Sequence, residues 1–180
     1  MPPSSVKTIR DVIFWQYAKI IAESAGIGKK DYGFIQAKYQ QLKKNEIEWS
    51  SSVREWLREH EKENECIYCG KKDNLTTEHI LPRDRNGPET VDNVIRVCKS
   101  CNSKKGDKRL YEYYTEKNRD KVPRIAEGKY LKLLYKLHEE QGTLDDHYDC
   151  TICDLKSKCK EEGHENKLTV YCIEGCFKKL

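Results

Sequence analysis

A chain of 180 residues with 37% hydrophobic and 36% charged side chains is lean for one large core, and its apolar runs are far too short to span a bilayer. Its formal charge is only +4, so charge alone does not single out a nucleic-acid partner. Nine cysteines would suit a secreted disulfide scaffold, but the N-terminal MPPSSVKTIR has no apolar h-region and no signal peptide is visible. Cys-x-x-Cys pairs without a secretory signal read as metal ligands in a reducing compartment, so the expected location is a cytoplasm.

Residues 1–64 read as a helical region. Ile9, Val12, Ile13, Gln16, Tyr17, Ile20 and Ile21 follow i, i+3, i+4 spacing, and the chain turns at Gly26 and Gly28. A second, weaker helix is predicted from Tyr32 to Lys44, with Ile35, Tyr39 and Leu42 on one face. A third starts with a capping-box pattern at Ser52 and Glu55 and aligns Val53, Trp56, Leu57 and His60. It leads into Cys66.

Residues 65–115 hold the densest signal. Two Cys-x-x-Cys pairs, Cys66/Cys69 and Cys98/Cys101, bracket Glu78-His79, Asn93 and Asn102. Each pair gives two thiolates from one tight knuckle, and zinc takes four such ligands in a tetrahedron. With every position filled by protein, that ion is structural. Between the pairs, Leu75 to Leu81 reads as a strand ended by Pro82, and Val94, Ile95 and Val97 as a second strand. A helix is predicted from Cys101 to about Lys108. This order puts His79 at a strand end and Asn102 at a helix start, able to approach across the hairpin. Taken singly, His79 reads equally as a buried histidine or an alternative zinc ligand, and Asn102 as a helix N-cap. From Arg83 to Arg109 there are eight Lys/Arg against four Asp/Glu, a basic run that a solvated face also explains.

The series Glu78-His79-Ile80-x-Pro82, Asn93, Cys98-x-x-Cys101-Asn102-x-x-Lys105-Gly106 resembles the HNH endonucleases, nucleases of the ββα-metal fold. The resemblance covers 43 of the 180 residues. It implies an α+β fold with a small ββα-metal core pinned by a four-cysteine zinc site. It implies His79 as the general base that takes a proton from the attacking water, work a neutral imidazole suits. Asn93 would hold the His79 loop, and Glu78 and Asn102 would bind one catalytic Mg²⁺ or Mn²⁺. Lys105 would add positive charge at the phosphate. The third letter of the motif is Asn102 where His is frequent, and the acid is Glu78 where Asp is frequent. An Asn carbonyl still offers an oxygen to Mg²⁺; the longer Glu changes the metal geometry.

Residues 116–144 read as a helical connection. Helix continues from Arg109 to Tyr114, Pro123 breaks it, and Tyr130, Leu131, Leu134 and Leu137 mark another. Gly142 and Asp145-Asp146 look like a linker. Residues 145–180 form a cysteine-rich tail, in which Cys150, Cys153, Cys172 and Cys176 are the simplest set for a second zinc, with Cys159 spare or substituting and His164 also on offer. An iron–sulfur cluster or disulfides are alternatives.

The expected function is a metal-dependent DNA endonuclease of restriction, defence or mobile-element type, with RNA as the other polyanion and no membrane role. One active site cuts one strand, so duplex cleavage calls for a homodimer, two nicks or a partner. The alternatives are a non-catalytic zinc-stabilised nucleic-acid-binding module and an interaction protein stapled by zinc.

Overall fold

The computed structural model describes residues 3–47, 62–147 and 173. They fall into two compact units, one holding 3–47, 134–147 and 173, the other 62–133. The expected third helix at Ser52–His60 and the cysteines of the tail lie outside the described residues. None of the described helices is long and apolar enough to cross a membrane.

In the first unit, helix α1 spans Ile9–Ser24 and α2 spans Tyr32–Lys43. Thr8 caps α1 through a reciprocal box: its hydroxyl accepts from the Asp11 N–H at 3.2 Å and the Asp11 carboxylate accepts from the Thr8 N–H at 3.2 Å. Asp11 also accepts from the Lys7 N–H at 3.0 Å and the Tyr39 hydroxyl at 2.9 Å, and pairs with Lys43 at 2.9 Å. Burial alone would push its carboxyl up, but these donors and the Lys43 charge outweigh it and hold the pKa below the usual range. Helix α1 is buried on most of its surface, including Val12, Ile13, Phe14, Trp15, Ala18 and Ile20. It ends as expected at Gly26, whose φ of +74° lets the chain reverse while the Ile27 N–H reaches back to the Ala22 carbonyl at 3.1 Å. Asp31 caps α2, which buries the expected Ile35, Tyr39 and Leu42.

The segment expected to be a linker is instead anchored to the start of α1. The Arg10 N–H donates to the Leu144 carbonyl at 2.8 Å, the Arg10 guanidinium grips both Asp145 oxygens at 2.7 and 2.9 Å, and Thr8 bridges His147. An acidic pair reads as solvated in sequence; here the half-buried Arg10 gives the exposed Asp145 a bidentate partner.

His138 is buried in the same unit, with its Nδ1 at 2.8 Å from the Thr143 hydroxyl. Burial pulls its pKa down to about 4, and the Ile173 backbone and Asp146, which pull upward, do not compensate. The unfolded chain therefore binds a proton that the folded unit refuses. Stability contributed by this site is complete above about pH 6.5 and falls as pH drops toward 4. We expect a loss of up to about 3 kcal/mol across that window. His138→Gln should flatten the slope in urea titrations at a series of pH values; an unchanged slope counts against the assignment.

The second unit is built on an antiparallel pair, β1 (Leu75–His79) and β2 (Val94–Cys98), registered Glu78 to Ile95 and Thr77 to Arg96. Strand β1 ends at His79 rather than Leu81: the Ile80 N–H still reaches the carbonyl of Asn93 opposite it, but the Asn93 N–H turns to the Thr90 carbonyl and the Leu81 N–H goes to the Asn93 side chain. Helix α3 spans Lys99–Lys105, beginning two residues earlier than expected, with Cys98 as its N-cap. Gly106, at φ +53°, separates it from α4 (Leu110–Asn118), so the expected continuous helix is interrupted. A kink at Thr115 divides α4, and α5 runs Arg124–Glu140 after Pro123. Ile80, Leu81, Ile95, Val97, Leu110, Tyr111, Val122, Ala126, Tyr130 and Leu131 form the core of this unit. The Lys129 ammonium donates to the Val94 carbonyl at 2.6 Å, fastening α5 to the strand pair.

Candidate active site

The four cysteines converge. Their Sγ atoms all lie within 4.8 Å of one another, and Cys69 and Cys98 are 3.8 Å apart. A tetrahedron with Zn–S bonds near 2.3 Å has S···S edges of about 3.8 Å, so the set fits zinc and is far too open for a disulfide. The first knuckle closes through the Cys66 N–H to the Lys71 carbonyl at 2.7 Å and the Gly70 N–H to the Cys66 carbonyl at 2.8 Å. The Ile67 N–H docks it on the Arg96 carbonyl of β2 at 3.0 Å. The second pair sits at the start of α3. There the Cys101 N–H pulls the Cys98 thiol down to about 7, while burial, and then the neighbouring sulfurs, push Cys101 up. Adjacent thiolates repel; a divalent cation at their centre reverses that.

His79 ends β1 half-exposed, and its ring makes no hydrogen bond to another described residue. The chain after it is tightly held. Asn93 is fully buried. Its Oδ1 accepts from the Leu81 N–H at 2.8 Å, and its Nδ2 donates to the Leu81 and Pro88 carbonyls at 2.9 Å each. The Ile80 N–H reaches the Asn93 carbonyl at 2.8 Å. Gly87 completes the loop, since a Cβ there would stand 1.9 Å from the Leu81 carbonyl oxygen. Asn93→Ala leaves a buried N–H and two carbonyls without partners. The expected cost is about 2–4 kcal/mol in denaturant unfolding, with zinc content unchanged.

Asn102 lies one turn inside α3, and its carbonyl accepts from the Gly106 N–H at 2.9 Å. It is not the N-cap. Its side chain is half-exposed and makes no hydrogen bond to another described residue.

Glu78 and Lys105 are buried together. The Glu78 side chain is 4% exposed and the Lys105 side chain 0%, with Lys105 Nζ 2.6 Å from Glu78 Oε1. The same ammonium donates to the His79 carbonyl at 3.0 Å. Both Glu78 oxygens are closed to solvent, and neither receives an aligned hydrogen bond from a described residue. Burial raises the Glu78 pKa, against the pull of Lys105 and the nearby Tyr68 hydroxyl.

Sequence reasoning did not single out Tyr68. It lies inside the first knuckle, half-buried, with its hydroxyl closed to solvent near Glu78 and its ring 5.5 Å from Tyr113 and 5.9 Å from Tyr114 of α4. Burial, then the Glu78 charge, push its hydroxyl well above the usual tyrosine range. A tyrosine between knuckle cysteines carries no pattern that would announce this.

Residues 66–108 match the family model described as HNH endonuclease. The chain matches no curated protein and no solved structure.

Proposed function

We propose that residues 66–108 are the catalytic core of a nuclease that hydrolyses phosphodiester bonds in DNA, with His79 as general base. What carries the reading is a half-exposed imidazole on a backbone fixed by the buried Asn93 hydrogen bonds. A base must be held in place yet reach the proton it abstracts. In this reading His79 accepts a proton from a water that attacks phosphorus, and the 3′-oxygen leaves. Asn93 acts on the ring through the loop, without touching substrate.

The cofactors proposed are structural Zn²⁺ at Cys66, Cys69, Cys98 and Cys101, and Mg²⁺ or Mn²⁺ for catalysis. Bound beside the scissile phosphate, the latter would stabilise the charge that develops in the transition state. Asn102 fits that ion, with a half-exposed side chain that makes no hydrogen bond to another described residue. Glu78, sealed and paired with Lys105, does not fit it. A second zinc at Cys150, Cys153, Cys172 and Cys176 is proposed from the sequence alone. Free thiols at Cys66, Cys69, Cys98 and Cys101 suit a cytoplasmic enzyme, and a restriction or defence role is proposed from the sequence alone. A homodimer would allow both strands of a duplex to be cut.

Incubation of the purified protein with supercoiled plasmid tests this. Nicked or linear product with Mg²⁺, and none with EDTA, is the expected result. Intact plasmid under Mg²⁺ and Mn²⁺, with DNA still bound, would leave the alternative of a non-catalytic zinc-stabilised nucleic-acid-binding module. The sealed Glu78 is the observation that favours it.

A further inference from the structure

The pleat of β1 sends neighbouring side chains to opposite faces. Glu78 shares its face with the buried Ile95 and Val97, while His79 lies on the other face with the exposed Thr77 and Arg96. A carboxylate turned inward needs a cation, and Lys105 of α3 supplies it from within the unit. The ammonium has three hydrogens; one approaches Glu78 and another is given to the His79 carbonyl. The peptide that carries His79 is thus gripped at its carbonyl by Lys105, and the two peptides beyond it are gripped by Asn93.

We propose that Glu78 and Lys105 are not a metal ligand and a phosphate contact but a buried clamp that positions His79, leaving Asn102 as the protein's ligand to the catalytic ion. The proposal rests on the nuclease reading and reassigns two of its residues. Glu78 fixes the Lys105 ammonium, and Lys105 fixes the strand end. A catalytic Mg²⁺ held by Asn102 would draw its other oxygens from water and phosphate, as this ion commonly does.

The test compares Glu78→Gln, Lys105→Met and the double variant in the zinc-loaded full chain, by thermal melting and by plasmid cleavage across Mg²⁺ concentrations. Each single change strands a buried group and should lower Tm by ~10 °C, whereas the double variant should recover most of that loss. In Lys105→Met and in the double variant the cleavage rate at saturating Mg²⁺ should fall roughly 10- to 100-fold, because the His79 carbonyl has lost its donor. The Mg²⁺ concentration for half-maximal rate should stay within about twofold of wild type in all three, since no ligand has been removed. A tenfold rise in that concentration for Glu78→Gln, with the rate restored by more Mg²⁺, overturns the proposal and makes Glu78 a ligand. A double variant no more stable than the singles overturns it too. A wild-type protein that never cleaves sinks the nuclease reading instead, and the melting comparison still decides whether the pair acts as one unit.

Discussion

His79→Ala should remove plasmid cleavage, by at least about 10²-fold in initial rate, without disturbing the fold. The ring is half-exposed and makes no hydrogen bond to another described residue, so its loss strands no buried group. Its backbone is held by Lys105 and Asn93, neither of which depends on the imidazole. Nicking rate, far-UV circular dichroism and zinc content measured on one preparation check this. Lost activity with an intact fold and full zinc supports the base. An unfolded variant would make His79 structural, and undiminished cleavage would move the chemistry elsewhere.

The second large effect is loss of zinc. Cys98→Ser should release the metal from the four-cysteine cluster and unfold residues 62–133. Two strands of five residues do not make a stable sheet in water by themselves. Cys98 is at once the last residue of β2, the N-cap of α3 and a member of the cluster, so strand, helix and knuckle lose their common fixture together. Structural zinc contributes on the order of 10 kcal/mol in small domains, more than the margin by which such a unit is stable. Elemental analysis and thermal melting decide it. About two zinc per wild-type chain falling to one in Cys98→Ser fits both sites; about one falling to none leaves the tail without a metal. Full structure after zinc removal would show that the cluster is not the staple.

The features legible in sequence are those governed by local spacing. Ile9, Val12, Ile13 and Ile20 announce α1 through helical periodicity, and the Cys-x-x-Cys pairs announce a cluster because two-residue gaps admit few other uses. The Thr8–Asp11 box escaped notice, since the usual cue is Glu or Gln at that position. Lys105 could not be placed, because nothing local separates it from the exposed Lys104 beside it. Its burial follows from which face of β1 receives Glu78 and where α3 then lies, and both are tertiary facts. Asp145 misled for a related reason: its partner Arg10 is 135 positions away.

That separation also sets an order of events as the chain is made. The first unit is discontinuous in sequence, with residues 62–133 falling between its two segments along the chain. Helices α1 and α2 leave the ribosome with Phe14 still lacking Tyr135 to stack against and Arg10 lacking Asp145. At about 5–20 residues per second, the wait from Arg10 to Asp145 is roughly 7–27 s. Residues 62–133, whose cysteines all lie within one continuous stretch, can capture zinc and fold during that interval. The N-terminal helices meanwhile present an apolar surface to the cell, so slower translation between α2 and α5 should raise the protein's dependence on chaperones rather than help it fold.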